Sequence, residues 1–522
     1  MNARRVSLFP GRPGSRSRAA LFVVSASLAA GVAVGPACAA RSSPSLMPTI
    51  GAPMARGGAA RALQRDLAAT FDAESFARTT WAVLVQSLDR GDVLYARNPG
   101  MLVMPASNMK IVTLATAAET LGWDHRFETR VLAAGPIAGG VLAGDLVVVG
   151  GGDPSINSRD GAASRVFDEW ARRLHESGVT RIAGRIIGDG RAFSGEPLGQ
   201  GWAWDYLGYG YAAPVSALQY NENLAELAVS PGAAAGAPAR IAIRPAECAL
   251  EVDGAVATGP EGSPVDLDIQ RAAGSNRVVV TGSVPAGAKE TVRTVAVADP
   301  ATAFAGNLRR ALIERGIEVG GTATAIEHTS QAPDTASARL LFVHQSPPLS
   351  EVATVLMKVS QNLYAETLLR ALGMRRGAGT VAEGRKAVAE VLTAWGVPSN
   401  AYLVADGSGL SRYNYLSAEA IVRILMHIHG DARHRDLFIA TLPVAGQDGG
   451  TIARRMKGTA AEGNAKAKTG SIANVRALSG FVTTRGGERV VFSILANSFS
   501  VAQSAVDDAT DKAVVRLAEF RR

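Results

Sequence analysis

Cysteine is scarce in this chain of 522 residues, where Cys38 and Cys248 are the two thiols. A disulfide framework of the kind that stabilises small secreted domains is therefore excluded. Cys248 also has no histidine near it in the sequence that could lower the pKa of its thiol. The pattern predicts a buried, unreactive cysteine rather than a catalytic one.

A basic surface for nucleic acid is also missing, although the formal net charge is +8. Residues 1–40 contain five arginines and no lysine, aspartate or glutamate, so they account for five of those eight charges. A weakly charged remainder gives no electrostatic footprint for a polyanion. We therefore expect no nucleic-acid partner.

Long apolar runs are absent except near the N-terminus, where residues 19–34 form one. That run is shorter than the about 20 residues that a membrane-spanning helix needs. It follows the arginines and precedes small residues that end at Ala39 and Ala40, a pattern typical of a signal peptide. We predict a cleaved signal peptide over residues 1–40, a linker over 41–58, and at most peripheral membrane contact. An uncleaved anchor is the alternative.

Three common catalytic signatures are missing. The chain has no Gly-x-Ser-x-Gly element, so a Ser-His-Asp hydrolase is not predicted. His427 and His429 lack a nearby cysteine or a clear third ligand, and no metal site is predicted. The glycines at 150–152 lack the rest of a phosphate-binding loop and indicate a turn. We predict no cofactor.

Hydrophobic periodicity is strong near both ends of the chain and indicates one domain that is divided in the sequence by an insertion. Strands are expected over residues 80–88 and 93–97 near one end, and over 476–483 and 489–495 near the other. Helices are expected over residues 60–71, 107–121, 349–372, 380–395 and 501–520. The middle is rich in glycine and alanine, with short strand-like runs such as 146–149, 181–187, 278–280 and 291–297.

This organisation predicts an α/β (α+β) domain built from residues 59–125 and 339–522. Residues 126–338 would form an insertion, made of one or two additional mostly β domains.

The first chemical motif is Ser107-Asn108-Met109-Lys110, which follows Pro105 at the start of a predicted helix. Residues i and i+3 share a helix face, so the hydroxyl and the amine can meet. A serine becomes nucleophilic when a base takes its proton, and a lysine is a base only if its pKa is lowered. Composition alone gives about one or two chance matches to Ser-x-x-Lys in such a chain.

Two further motifs make chance a poor explanation. Ser360-Gln361-Asn362 lies on a predicted helix, where side chains two apart diverge by about 200°. A loop or a helix start would be needed to direct both of them inward. Lys468-Thr469-Gly470-Ser471 stands just before a predicted strand, where Lys468 and Thr469 could hold a carboxylate. There Gly470 would allow a substrate backbone to approach closely.

In the order Ser-x-x-Lys, Ser-x-Asn, Lys-Thr-Gly, the three motifs resemble those of the serine penicillin-recognising enzymes. The 253 positions between Ser107 and Ser360 further resemble the class-C low-molecular-mass penicillin-binding proteins, which are D-alanyl-D-alanine carboxypeptidases and endopeptidases. Other stretches similar to that family are 150–154, 211–218, 406–412 and 442–446.

The resemblance implies a penicillin-binding, β-lactamase-like transpeptidase domain acting on peptidoglycan stem peptides. It implies that Ser107 attacks the penultimate D-alanine carbonyl and that Lys110 accepts its proton. Ser360 would relay a proton to the leaving group, and Asn362 would bind the substrate amide and steady the base. Peptides ending in D-Ala-D-Ala and β-lactam antibiotics are the implied partners, and the periplasm is the implied location.

The same resemblance implies a substrate-binding set. Lys468 and Thr469 would bind the terminal carboxylate, with Gly470 and Ser471 beside them and Arg412 at the side-chain end. The backbone N–H groups of the nucleophile and of Ser471 would form the oxyanion hole. Lys468 would also keep the base neutral by charge repulsion.

Two departures from the family pattern leave the recognised stem-peptide side chain open. Tyr206 stands where members often carry a second acid after the tryptophan, and Ala473 stands where a polar residue is common. The alternatives are a β-lactamase, which a chain of this length disfavours, and a non-catalytic peptidoglycan-binding scaffold, which would not need all three motifs. The sequence leaves the oligomeric state open, including a homo-oligomer.

Overall fold

Strands from both ends of the chain meet in one five-stranded antiparallel sheet. The computed structural model describes residues 52–248, 250–447 and 449–522. The predicted signal peptide over residues 1–40, and residues 41–51 of the predicted linker, lie outside this range. Within it, no helix combines the length and the apolar character needed to cross a membrane.

The α-helices and the strands are numbered separately here, each in chain order. The helices are α1 (Gly58–Phe71), α2 (Met109–Leu121), α3 (Ala162–Glu176), α4 (Pro300–Glu314), α5 (Leu349–Lys358), α6 (Asn362–Met374), α7 (Val381–Ala394), α8 (Ala418–Gly430), α9 (Arg435–Thr441) and α10 (Gln503–Ala518). The strands are β1 (Thr80–Ser87), β2 (Val93–Arg97), β3 (Glu128–Ala134), β4 (Ile137–Ala138), β5 (Val141–Leu142), β6 (Asp145–Val149), β7 (Arg181–Ile182), β8 (Ile186–Asp189), β9 (Leu224–Ser230), β10 (Arg240–Arg244), β11 (Glu251–Asp253), β12 (Val256–Gly259), β13 (Asp266–Arg271), β14 (Arg277–Pro285), β15 (Thr291–Ala296), β16 (Glu318–Val319), β17 (Ala323–Ala325), β18 (Arg339–Gln345), β19 (Tyr402–Leu403), β20 (Tyr415–Leu416), β21 (Lys466–Ile472), β22 (Val475–Thr483) and β23 (Arg489–Asn497).

The main sheet has the strand order β2-β1-β23-β22-β21 and is covered on both faces. Trp81 and Val83 of β1 pack into a core with α1 and α10. Ala82 and Leu84, on the opposite face of the same strand, pack into a second core with α2 and α8. Because successive side chains of a strand point to opposite faces, a doubly covered sheet needs apolar residues at almost every position of its central strands.

The inserted region contains two parts with cores of their own. Strands β17-β8-β6-β3-β18 form a five-stranded sheet against α3 and α4, with Trp170 and Phe304 buried between them. The stretch from β9 to β15 lies within that part in the sequence and forms two small sheets around a separate core. This arrangement agrees with the predicted fold class.

The end of the inserted region is marked by strand pairing. Strand β18 lies after residue 338, in the second part of the predicted transpeptidase domain, yet it pairs with β3 of the inserted sheet. This pairing favours an end of the insertion after Gln345.

Two predicted elements are interrupted. The helix expected over residues 349–372 is two helices, because Ser360 between α5 and α6 has the left-handed backbone angle φ 63°. The strand expected over 181–187 is also divided, since β7 and β8 belong to different sheets.

Cys248 is buried and free, and burial raises the pKa of its thiol to about 11. That outcome agrees with an unreactive cysteine.

Candidate active site

Ser107 lies in a single 3-10 turn, Ala106–Asn108, that leads directly into α2. Residues 109–118 of α2 are all buried, so the helix passes through the core and brings its first turn to a cavity. Ser107 lines this cavity of about 470 Å³. The other lining residues are Tyr206, Tyr211, Ser360, Asn362, Leu410, Thr451, Thr469, Ser471, Ile472, Ala473 and Gln503.

The amine of Lys110 stands behind Ser107 and is fully buried. Its Nζ lies 2.8 Å from Ser107 Oγ, 2.7 Å from Asn362 Oδ1 and 2.7 Å from the carbonyl oxygen of Ser408. The last two atoms are acceptors only. A neutral amine can donate one N–H to each of them and still direct its lone pair at the serine hydroxyl. The geometry therefore suits a general base.

Burial lowers the pKa of Lys110 to about 7, against the opposing effect of the Asp406 and Glu366 carboxylates. A lysine in water stays protonated at neutral pH and well above it, because its reference pKa is about 10.4. Since a large share of the Lys110 side chains is neutral near pH 7, the amine can accept a proton there.

The turn between α5 and α6 directs Ser360 and Asn362 into the same cavity. The left-handed backbone of Ser360 ends one helix, and the Gln361 side chain caps the next by accepting from the Leu363 N–H at 3.0 Å. A continuous helix would direct the Ser360 and Asn362 side chains away from each other, because they are two positions apart. The break between the helices lets both of them enter the cavity. Asn362 then meets Lys110, and Ser360 meets Lys468.

Lys468 lies on β21 and is fully buried rather than solvated at a strand edge. Its Nζ donates to Ser360 Oγ and to the Thr469 carbonyl, both at 2.8 Å. Burial, and then the nearby Lys110 charge, lower the pKa of Lys468. Asn108 ties this strand to the nucleophile turn by donating to the Lys468 carbonyl at 2.9 Å.

The remaining residues of that motif line the cavity or shape its wall. Thr469 Oγ1 donates to Thr451 Oγ1 at 2.8 Å, and Ser471 is exposed beside it. A Cβ at Gly470 would stand 2.6 Å from the Pro105 carbonyl oxygen. The glycine therefore allows close approach of the protein's own chain just before Ser107, and its expected role toward a substrate backbone stays a prediction.

Arg412 lies beside the cavity and contacts two of its lining residues. Its Nη2 donates to the Tyr206 hydroxyl at 3.2 Å and approaches the Ala473 carbonyl at 3.4 Å. Tyr206 and Ala473 both line the cavity. The two residues that depart from the family pattern are thus the ones nearest Arg412.

Sequence reasoning gave no role to two fully buried acids, Glu366 and Asp406. Glu366 Oε1 accepts from the N–H of Ser408 at 2.8 Å, and Asp406 Oδ1 accepts from the N–H of Gly409 at 2.8 Å. Together they fix the loop whose Ser408 carbonyl meets Lys110. Burial, and then Asp406, raise the pKa of Glu366 to about 7. The available signal was the position of Glu366, one helical turn after Asn362.

One cluster away from the cavity has metal-ligand chemistry. Glu119, His427 and Asp431 bring their ligand atoms within 4.8 Å of one another. Arg433 bonds both carboxylates, at 3.3 Å and 2.7 Å. The guanidinium already supplies the positive charge that a cation would bring.

Comparison with known proteins places this arrangement in a family. Residues 63–520 match the D-Ala-D-Ala carboxypeptidase 3 (S13) family. The chain belongs to this family. The family and the enzyme class predicted from the motifs are therefore confirmed.

Relatives match over most of their length. A D-alanyl-D-alanine carboxypeptidase of Actinomadura sp. (strain R39) is 36% identical over 523 residues, which cover 98% of this chain and 92% of that protein. The D-alanyl-D-alanine carboxypeptidase DacB of Haemophilus influenzae is 28% identical over 425 residues, covering 80% and 85%. A crystal structure of penicillin binding protein 4 from that species has a TM-score of 0.75 and 26% identity, covering 89% of this chain and 100% of that one. The likeness confirms the predicted fold class.

In this S13 family member, Gly409→Ala is expected to slow peptide hydrolysis by about 10²-fold, the scale of a misplaced catalytic group. A Cβ at Gly409 would stand 1.8 Å from the Ala106 carbonyl oxygen and would displace the turn that carries Ser107. Hydrolysis of a peptide ending in D-Ala-D-Ala measures the effect. Gly458→Ala is the matched control, because Gly458 shares a positive φ (+71° against +85°) but has no atom within 4 Å of such a Cβ. Equal rates in the two variants would contradict the steric account.

Proposed function

We propose that the chain cleaves the terminal D-alanyl-D-alanine bond of peptidoglycan stem peptides through an acyl-enzyme on Ser107. The observation that carries the proposal is the buried Lys110 amine, 2.8 Å from Ser107 Oγ and bonded to two acceptors. The names of the relatives supply the substrate class. The same chemistry on a cross-linked peptide gives endopeptidase activity.

In the acylation step Ser107 Oγ attacks the carbonyl of the penultimate D-alanine while Lys110 takes the hydroxyl proton. The C–N bond then breaks as Ser360 gives its hydroxyl proton to the leaving D-alanine nitrogen, and the proton that Lys110 took replaces the one that Ser360 gave. Backbone N–H groups of Ser107 and Ser471 stabilise the oxyanion, a contribution of about 3–4 kcal/mol per donor in a comparable hydrolase. Water hydrolyses the ester and returns the serine hydroxyl.

The terminal carboxylate of the substrate binds beside Lys468, Thr469 and Ser471. Lys468 supports this role because its amine is buried and, among the described residues, its two hydrogen-bond partners are a hydroxyl and a carbonyl. Burial lowers the pKa of this amine, and a bound carboxylate would favour its charged form. Arg412 lies beside the cavity, where it faces the stem-peptide side chain through Tyr206.

A β-lactam presents its carbonyl at the same place, so penicillin is expected to form a stable adduct at Ser107. A crystal structure of the H. influenzae penicillin binding protein 4 with a β-lactam supports this expectation. Mass spectrometry of the intact protein and of its peptides measures the adduct, and Ser107→Ala is the control that should not react. An adduct on another serine would refute the site. Fast release of the adduct would favour the β-lactamase alternative.

The rate of acylation is expected to fall as pH drops below about 7, because protonation of Lys110 removes the base. Lys110→Arg, which stays protonated, should lose a factor of about 10²–10⁴. Stopped-flow acylation over pH 5–9 checks both. A flat profile or an active Lys110→Arg variant would refute the assigned base.

We further propose that the chain is exported to the periplasm after removal of residues 1–40. The family membership and the signal-like composition of that segment support this location. N-terminal sequencing of the exported protein tests it, since a mature chain that retains Arg4 would mean an uncleaved anchor.

A further inference from the structure

The inserted region holds the Ser360–Asn362 turn at two points. Asn362 Nδ2 donates to the Tyr211 carbonyl at 2.7 Å, and Gln361 Nε2 donates to the Glu222 carboxylate. Both acceptors belong to the insertion, whereas the turn belongs to the transpeptidase domain. The conformation of this turn therefore depends on residues more than a hundred positions away in the sequence.

Glu222 occupies a backbone conformation that glutamate disfavours. Asn221, Glu222 and Asn223 are three consecutive left-handed residues, with φ of 50°, 58° and 55°. Asparagine tolerates this region, but other L-residues are strained there, because Cβ comes too close to the following carbonyl oxygen. Strain of this kind persists where surrounding contacts impose it, and it concentrates at functional sites.

The contacts that impose the conformation come from both neighbours. Asn221 Oδ1 accepts from Ser158 Oγ at 2.6 Å, and Asn223 Nδ2 donates to the Pro214 carbonyl at 2.9 Å. A side chain at position 222 is thereby fixed in direction. The fixed direction brings its carboxylate to Arg159 and Gln361.

The carboxylate of Glu222 is buried, with 8% of the residue exposed. Arg159 binds it through two nitrogens, with Nε 2.6 Å from Oε1 and Nη2 3.2 Å from Oε2. Oε2 also accepts from Gln361. Hydrogen bonds to an ionised acceptor are stronger than those between neutral groups, so the ion pair strengthens the hold on Gln361.

Gln361 uses both ends of its amide. Its Oε1 caps α6 through the Leu363 N–H at 3.0 Å, while its Nε2 is held by Glu222. This fixes the peptide planes on either side, which carry Ser360 with φ 63° and Asn362. Those are the residues that contact the two buried lysines.

We propose that Glu222 is a positioning residue for acylation: from the inserted region it sets, through Gln361, the turn that directs Ser360 and Asn362 at Lys468 and Lys110. The proposal rests on the proposed function, because it takes Ser107 acylation as the reaction. It gives the inserted region a part in catalysis without contact between Glu222 and substrate.

The test uses Glu222→Gly and Glu222→Gln in the full chain. Glycine relieves the left-handed strain and removes the carboxylate, so we expect a melting temperature within a few degrees of wild type and second-order acylation by penicillin slowed about tenfold or more. Glutamine keeps the shape and replaces the charged acceptor by a neutral one. We expect it to give a smaller loss, and it serves as the second test if the glycine variant folds poorly.

A double-mutant cycle separates positioning from general damage. If Glu222 acts through Gln361, then Glu222→Gly and Gln361→Ala should be non-additive in acylation rate, with the double variant close to the slower single variant. Asp145→Asn is the matched control, because it breaks another ion pair of the insertion, Asp145–Arg185 at 2.6 Å, and should lower stability at an unchanged acylation rate.

Wild-type acylation in both Glu222 variants would overturn the proposal, as would additive losses in the cycle. Failure of the proposed function would look different, because the wild-type protein would then form no adduct at Ser107.

Discussion

The site depends on one constraint: the Lys110 amine is buried and has no direct contact with a carboxylate of the described residues. An ion pair would hold the amine protonated, and a protonated amine cannot activate Ser107. The two acids that lie close, Glu366 and Asp406, bond to backbone N–H groups of the 407–409 loop. They therefore raise the pKa of Lys110 only through their electrostatic field, and burial outweighs that effect.

Glu366 and Asp406 are held in place by contacts that come from several parts of the molecule. Burial, and then the neighbouring Asp406 carboxylate, disfavour the ionised form of Glu366 and raise its pKa. Asp406 is retained by four donors, which include the Trp202 indole of the inserted region at 2.8 Å and Asn414 at 2.6 Å. The main sheet and its two helical layers supply the dry surroundings in which α2 and α6 bring these groups together. The buried polar network of the site therefore depends on the doubly covered sheet that keeps water away from it.

Local patterns in the sequence were sufficient for four of the five strands of the main sheet and for the three motifs, but β21, which carries Lys468, was expected only as the segment before a strand. The strand over residues 93–97 has the bounds expected from alternation, and the motif order alone placed Ser107 near Lys468. The apolar periodicity did not mark the break at Ser360, because no glycine or proline interrupts it, and only the Ser-x-Asn motif indicated that a loop or a helix start was needed there. The use of Gly470 for internal packing was also hidden, since its neighbour Pro105 lies on a distant segment. Both depend on tertiary contacts, which local propensity does not encode.

Contacts of the inserted region extend beyond Glu222 to the wall of the cavity. Ser411 Oγ donates to the Gln200 carbonyl at 2.6 Å, and Asn362 donates to the Tyr211 carbonyl, so residues 200–211 lie against both the 406–411 loop and the catalytic turn. Tyr206 and Tyr211 of the same segment line the cavity opposite Ser471 and Ala473. One segment therefore supports the catalytic groups and shapes the surface that meets the stem peptide. Because the Tyr206 side chain lines the cavity while the Gln200 and Tyr211 carbonyls and the Trp202 indole make the supporting bonds, substitutions at Tyr206 can alter substrate preference without disturbing Lys110.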